Sequence, residues 1–345
     1  MTDSAQPTPK KKSKLGDIIK LIVFLGIGFL FIYFFLLKLD ASQKAAIWDS
    51  FTNADYFWVV LAMICCLVSH FVRALRWQLL YQPIGYKPRL NNVFGSVMVA
   101  YMANLAFPRL GEVMRCATLR TSENIPIEKS LGTVVTERAI DVLAFGVILL
   151  IGLAVMYGQA KVWLMEVLSE KMQSLPTLAV ILCIVIALGI AAIILYKLLR
   201  QKLLKYKLFQ KIDSIIIGCI DGLKSIFKLR PASVFLFVLY SAIIYFLYIL
   251  GGLIIFQAIP ETCKLGFGAA FVMYLFGSVG MTISQGGLGA YPVLIWQALA
   301  LYGIGETVGL ATGWLLWSSQ QVIIIAVGLA YLIYFSLTKK GQKRI

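Results

Sequence analysis

An all-α polytopic membrane protein is the fold class that this sequence predicts. About six full spans are expected, plus two re-entrant or broken helical hairpins, with an inverted repeat among the arrangements open to it. Three observations lead there. Of 345 residues, 60% are hydrophobic and 14% are charged, whereas soluble domains run near a half and a quarter. So much apolar surface cannot be hidden in one core while a water-facing shell is still built. Apolar stretches of roughly 20 residues, the length that crosses a bilayer's hydrocarbon, recur at 18–37, 56–75, 131–157, 176–197, 232–259 and 306–334. Two further apolar stretches, 91–107 and 266–302, carry helix breakers.

In chain order, residues 1–14 form a polar tail with Pro7, Pro9 and Lys10-Lys11-Lys12, expected to be disordered. The apolar run from Ile18 to Leu37 is too long for a signal peptide and lacks a small-residue cleavage site. It reads as a retained first span of a membrane domain covering 15–337, with a basic tail at 338–345. The stretch 91–107 ends at Phe107-Pro108-Arg109-Leu110-Gly111. The stretch 266–302 is interrupted at Gln285-Gly286-Gly287-Leu288-Gly289 and again at Pro292. Proline removes a backbone donor and glycine weakens a helix. Unwound backbone at membrane depth survives only where protein or a wet cavity satisfies it, and interrupted segments in two halves are a pointer to a transporter's site. Between 200 and 228, Leu204, Leu208, Ile212, Ile215, Cys219, Leu223 and Phe227 recur at helical steps with lysines between them. This predicts an amphipathic segment on the cytoplasmic interface.

Charge placement sets the topology. The net charge is +16, and 26 of the 32 Lys and Arg lie in residues 1–20, 73–129, 197–230 and 339–344. The connections 38–55, 158–175 and 260–265 hold five basic and six acidic residues. Basic loops stay cytoplasmic. If both odd stretches crossed fully, the 197–230 loop would fall outside; if each dips in and returns, every basic segment stays inside. The expectation is a multi-pass protein of the plasma (inner) membrane with both termini cytoplasmic. The basic residues flank spans and line no soluble face, so no nucleic-acid partner is expected.

Chemistry-bearing residues cluster. Glu137, Arg138 and Asp141 sit inside a span, with Glu137 and Asp141 four apart on one helix face. Charges at membrane depth face a cavity or a partner. Arg73, Arg76, Arg109, Arg115 and Arg138, with Glu112, Glu137 and Asp141 as counter-charges, suit a phosphate-bearing lipid head, because guanidinium groups match phosphate geometry. The other reading is a structural ion-pair knot, with Arg73 and Arg76 snorkelling to the interface. Glu112 is three residues before Arg115 and can pair with it; Asn104, a turn or two upstream, can donate and accept hydrogen bonds. His70, the one histidine, reads first as a packing residue. The cysteines show no CxxC pair or metal spacing. No cofactor and no metal is expected.

The string Asn104-Leu-Ala-Phe-Pro108-Arg109-Leu-Gly111-Glu112-Val-Met-Arg115, followed by Thr136-Glu137-Arg138 and Asp141, resembles the lysylphosphatidylglycerol synthase transmembrane, or flippase-like, family. Arg73-x-x-Arg76-Trp77 and Gly286-Gly287-Leu288-Gly289 fit the same pattern. The chain departs from it where Gln285 replaces the usual Pro and Ala290-Tyr291-Pro292 replaces a nearby acidic residue. Trp317-Ser318-Ser319-Gln320 also stands where many members carry an Arg. The resemblance implies a lipid translocator for anionic or aminoacylated phospholipid or lipid-linked intermediates. It assigns the headgroup path to Arg73, Arg76, Asn104, Pro108, Arg109, Gly111, Glu112, Arg115, Glu137, Arg138, Asp141, Gln285, Gly286, Gly287 and Gly289. With ten residues after 335, the soluble aminoacyl-transferase domain of the best-understood members is not expected. The sequence carries no Gly-x-x-x-x-Gly-Lys-Ser/Thr motif, so movement would be downhill, or proton-coupled through Glu137 or Asp141. A membrane-embedded lipid-modifying enzyme using Glu112, Glu137 and Asp141, and a non-transporting partner of an envelope-lipid enzyme, stand as alternatives. Membrane lipids are the expected partners, and a homo-oligomer or a lipid-synthesis enzyme stays open.

Overall fold

The computed structural model describes residues 44–45, 48, 51–106, 110–155 and 229–341. The expected spans at 18–37 and 176–197, the amphipathic segment 200–228, Pro108, Arg109, the N-terminal tail and residues 342–345 lie outside the described residues, while the expected C-terminal tail begins inside a helix that runs to Gly341.

The bounded helices are α1 (Tyr56–Leu79), α2 (Leu90–Ala106), α3 (Leu110–Glu123), α4 (Ile127–Val155), α5 (Pro231–Ile255), α6 (Phe267–Ile283), α7 (Ala290–Ala300) and α8 (Glu306–Gly341). The protein is all-helical across its described residues. Three helical stretches are long and apolar enough to cross a membrane: Tyr56–Ile84, Pro231–Ala258 and Glu306–Thr338. They coincide with three of the expected spans. The expected span at 131–157 lies in α4, 29 residues long, whose first half carries the charges Glu128, Lys129, Glu137, Arg138 and Asp141.

Local chemistry sets the ends of these helices. The Asp55 carboxylate accepts from the Phe57 N–H at 3.0 Å and caps α1. The Asp55 N–H donates to the Ala258 carbonyl at 3.0 Å, tying the start of α1 to the end of α5. Pro231 opens α5, at the position where its missing N–H costs nothing. The two helices run antiparallel, since Arg76 at the far end of α1 meets Ser241 near the start of α5.

Both odd stretches fold back on themselves. Helices α2 and α6, at 17 residues each, reach about 26 Å, short of the roughly 30 Å hydrocarbon core. In the first hairpin the Gly111 N–H donates to Asn104 Oδ1 at 2.7 Å. At the other end of the pair, Asn92 Nδ2 donates to Glu123, so α2 and α3 are antiparallel. Gly111 is required: a Cβ there would lie 2.3 Å from the Ala100 carbonyl oxygen. In the second hairpin α6 and α7 close around Gly280, where a Cβ would meet Tyr291 Cα at 2.8 Å. The reversal itself uses Gly286, Gly287 and Gly289 at φ of +61°, +77° and +76°, conformations that glycine adopts without steric cost. Pro292 does not interrupt the segment a second time. It is the third residue of α7, in the first turn, where backbone donors have no intrahelical acceptor in any case.

Helix α8 is the post against which both hairpins lean. Gly309 and Gly313 admit Trp296 and Pro292 of α7, while Gly95 of α2 admits Tyr331 and Gly328 admits Met98 and Met102. Tyr291, Ile295, Trp314 and Trp317 share one apolar core with Met273 and Phe256. Trp77, Leu80, Tyr81, Val97 and Phe237 form another. Phe235, Val238 and Phe246 on α5 remain exposed, as side chains facing lipid do.

Because the Gly280 contact is with backbone, Gly280→Ala is expected to destabilise by about 1–3 kcal/mol. Gly146→Ala on α4, with no atom within 4 Å of the added methyl, should be neutral or stabilising by up to about 1 kcal/mol. Thermal unfolding in detergent distinguishes the two.

Candidate functional site

The site grows from the last turns of α1. His70, Arg73, Arg76 and Trp77 recur there at three- and four-residue steps and turn inward; all four are buried. Opposite them, Glu137 and Asp141 lie one turn apart on α4. Arg73 Nη1 donates to Glu137 Oε1 and to Asp141 Oδ2, each at 3.0 Å. Arg76 Nη2 donates to Glu137 Oε1 at 3.0 Å, and its Nη1 lies 2.7 Å from Asp141 Oδ1. From α3, Arg115 Nη1 donates to Glu137 Oε2 at 2.8 Å. Glu137 is fully buried (0% exposed) and takes three guanidinium groups from two helices.

Polar groups on α5 complete the core. Arg76 Nη1 donates to Ser241 Oγ at 3.0 Å and Arg73 Nη2 to the Tyr248 hydroxyl at 3.3 Å. The Tyr245 hydroxyl donates to the Asp141 carbonyl at 3.3 Å. Sequence reading missed these three, although Ser241, Tyr245 and Tyr248 stand four and three residues apart in an otherwise apolar helix, which was the available signal. Trp77 sets the position of Arg115: its ring lies 3.5 Å beneath the guanidinium carbon, and its Nε1–H donates to Thr133 Oγ1 at 3.0 Å.

Arg73 and Arg76 therefore do not snorkel to an interface. They are buried at 6% and 0% exposure because the carboxylates that compensate them are buried too. The expected Glu112–Arg115 pair gives way to Arg115–Glu137. Glu112 Oε2 is buried with no hydrogen-bond partner, and Arg115 Nε and Nη2 are buried and unpartnered as well. These two residues line a small cleft with Tyr101, Asn104, Gly111 and Arg138. Arg138 points away from Glu137, as its register predicts. Its side chain is 47% exposed and its Nη1 is 3.9 Å from Asp141 Oδ2.

The predicted residues thus divide into three places. Arg73, Arg76, Glu137 and Asp141 form the ion-pair core. Asn104, Gly111, Glu112, Arg115 and Arg138 line the cleft, with Arg115 belonging to both. Gly286, Gly287 and Gly289 form the tip of the second hairpin, outside the cleft; the backbone of Gln285 begins the same turn. His70 packs its ring 4.3 Å from that of Tyr101, and its Nε2 is 3.5 Å from Cys66 Sγ. In the buried core, three guanidinium groups face two carboxylates, leaving one positive charge in excess. An uncompensated charge in a desolvated site is costly, and the free edge of Arg115 is where an anion would relieve it.

Removing the shared carboxylate is expected to be severe. Glu137→Ala should destabilise by about 3–5 kcal/mol, the cost of stranding buried charge, while Arg138→Ala, on a half-exposed side chain, should cost less than about 1 kcal/mol. Detergent unfolding midpoints of the two variants check this.

Residues 18–328 match the lysylphosphatidylglycerol synthase TM region family. A stretch of 127 residues is 28% identical to Glycosyltransferase AglD of Haloferax volcanii, covering 35% of this chain and 20% of that protein. The chain thus spans about one fifth of the length of the curated relative it matches. No solved structure matches the chain. The family match runs through both hairpins and the whole ion-pair core, and the chain belongs to the lysylphosphatidylglycerol synthase transmembrane family.

Proposed function

We propose that this multi-pass membrane protein moves an anionic or aminoacylated phospholipid, or a lipid-linked intermediate, between the leaflets of the plasma membrane. The headgroup enters the cleft beside α3 while its acyl chains remain in lipid. One observation carries the reading: Arg115 has two buried unpartnered donors and Glu112 a buried unpartnered acceptor, and both residues line the same cleft. A phosphate accepts from Arg115 and Arg138, offsetting the positive excess, and Glu112 accepts from a hydroxyl or an amine on the head. Asn104 and Gly111, which also line that cleft, tie the end of α2 to the start of α3 by bonding to each other.

The ion-pair core has a different part in this reading. Both Glu137 oxygens are occupied by guanidinium groups, so in this reading Glu137 positions Arg115, and movement is downhill or coupled to a proton through Asp141. Similarity to a protein named a glycosyltransferase keeps a glycosyl-bearing head among the cargoes proposed. The basic segments support cytoplasmic termini.

The test is headgroup transport in proteoliposomes with labelled phosphatidylglycerol. The protein should accelerate loss of leaflet asymmetry. Arg138→Ala and Glu112→Gln should each slow it by about tenfold, the worth of one charge-assisted hydrogen bond, with unfolding midpoints close to that of the parent. Equal rates with and without protein across a panel of anionic lipids reject the proposal.

A further inference from the structure

Helix α8 carries a buried amide side chain with no partner on either of its polar atoms. Gln321 is 5% exposed, and neither its Nε2 nor its Oε1 has a hydrogen-bond partner. An amide removed from water without a replacement bond is costly, and the cost rises where the surroundings are hydrocarbon. A glutamine serving only to join helices would bond across to a neighbour. This one does not.

Its position follows from the stripe it belongs to. Trp317, Gln321, Ile324 and Gly328 succeed one another at four, three and four residues, so they share one face of α8. The N-terminal end of that stripe touches the second hairpin: Trp317 Nε1–H donates to the Gly286 carbonyl at 2.7 Å. The C-terminal end touches the first: Ile324 packs with Met98 and Met102, and a methyl group at Gly328 would lie 2.9 Å from Met102 Cβ. The two hairpins themselves meet between these points, since a Cβ at Gly286 would lie 3.2 Å from Leu105 Cδ2 at the end of α2. Gln321 therefore lies on α8 between a residue that touches the second hairpin and one that touches the first.

We propose that Gln321 is a hydrogen-bonding station for the lipid headgroup where it passes from one broken hairpin to the other. The assignment rests on the translocation reading above and adds to it a residue on α8. A neutral amide suits the place. It offers two N–H donors to a phosphate oxygen and one carbonyl acceptor to a hydroxyl. It adds no charge that would trap the cargo at mid-membrane.

The experiment pairs a binding measurement with a transport measurement. Purified protein in detergent is titrated with dioctanoyl phosphatidylglycerol and its unfolding midpoint followed. The parent midpoint rises with lipid. Gln321→Leu, of similar volume and without polar atoms, should unfold at the same or a higher midpoint without lipid and need about tenfold more lipid for the same rise. Gln321→Met gives the same comparison if the leucine variant does not fold. A variant that responds to lipid as the parent does overturns the station. The proteoliposome assay separates the two claims. A parent that binds through Gln321 but does not accelerate transport keeps the station and removes the translocation reading. A parent and a Gln321→Leu variant that transport and bind alike remove the station and keep the reading.

Discussion

A carboxylate cannot sit at full burial in a membrane helix without cations brought to it, and that constraint organises this molecule. Glu137 is fully buried. Its compensation comes from Arg73 and Arg76 on α1 and Arg115 on α3, while Ser241 and Tyr248 on α5 each accept one further hydrogen bond from an α1 arginine. Four helices are thereby fixed against one side chain. The apolar cores on either side hold generic shape, but only the ion pairs specify which turn of α1 faces which turn of α4. An apolar replacement could pack as well. It could not place a guanidinium group at the edge of the cleft.

The same logic applies to the broken helices. Each break exposes backbone groups that lipid cannot satisfy, and each is answered from within the protein. Asn104 accepts from the Gly111 N–H at the first break, and Trp317 donates to the Gly286 carbonyl at the second. Glycine lets the partners approach: Gly111 lies against Ala100, and Gly280 against Tyr291. The breaks are thus stable features held in register by α8, and they meet where Leu105 approaches Gly286. The end of α2 thus lies against the glycine turn of the second hairpin.

Much of this was legible in the residues. Apolar length alone located the helices at 56–75, 232–259 and 306–334, and Pro and Gly located both breaks. Glu137 and Asp141 share a face because they are four apart, and Arg73 bridges them as that spacing allows. What escaped was any pairing between helices. Local spacing favours Glu112 with Arg115, but Arg115 gains a deeper partner in Glu137, held by Trp77 stacking from α1. Nothing within α3 announces that. Pro292 misled for the opposite reason: a proline in the first turn begins a helix as readily as one in the middle ends it. Gln321 was unreadable, since a single amide in an apolar span says nothing until its neighbours are seen to leave it alone.

Knot and path, the two readings of the buried charges, are joined in Arg115. One of its terminal nitrogens binds Glu137, its Nε and Nη2 are buried without a partner, and the residue also lines the cleft. An anion arriving at those donors would therefore draw on the same guanidinium group that holds α3 to α4. On the proposed reading, binding a headgroup would compete with the tie between α3 and Glu137, whereas Arg73 and Arg76 hold α1 against α4 without it. Because α3 is one limb of the first hairpin, loosening that single tie acts on the hairpin and spares the rest of the bundle. A core with equal numbers of cations and anions would have no reason to respond to a ligand. On the proposed reading, the one positive charge in excess among these paired groups, carried by Arg115, is what would make the core respond to a headgroup.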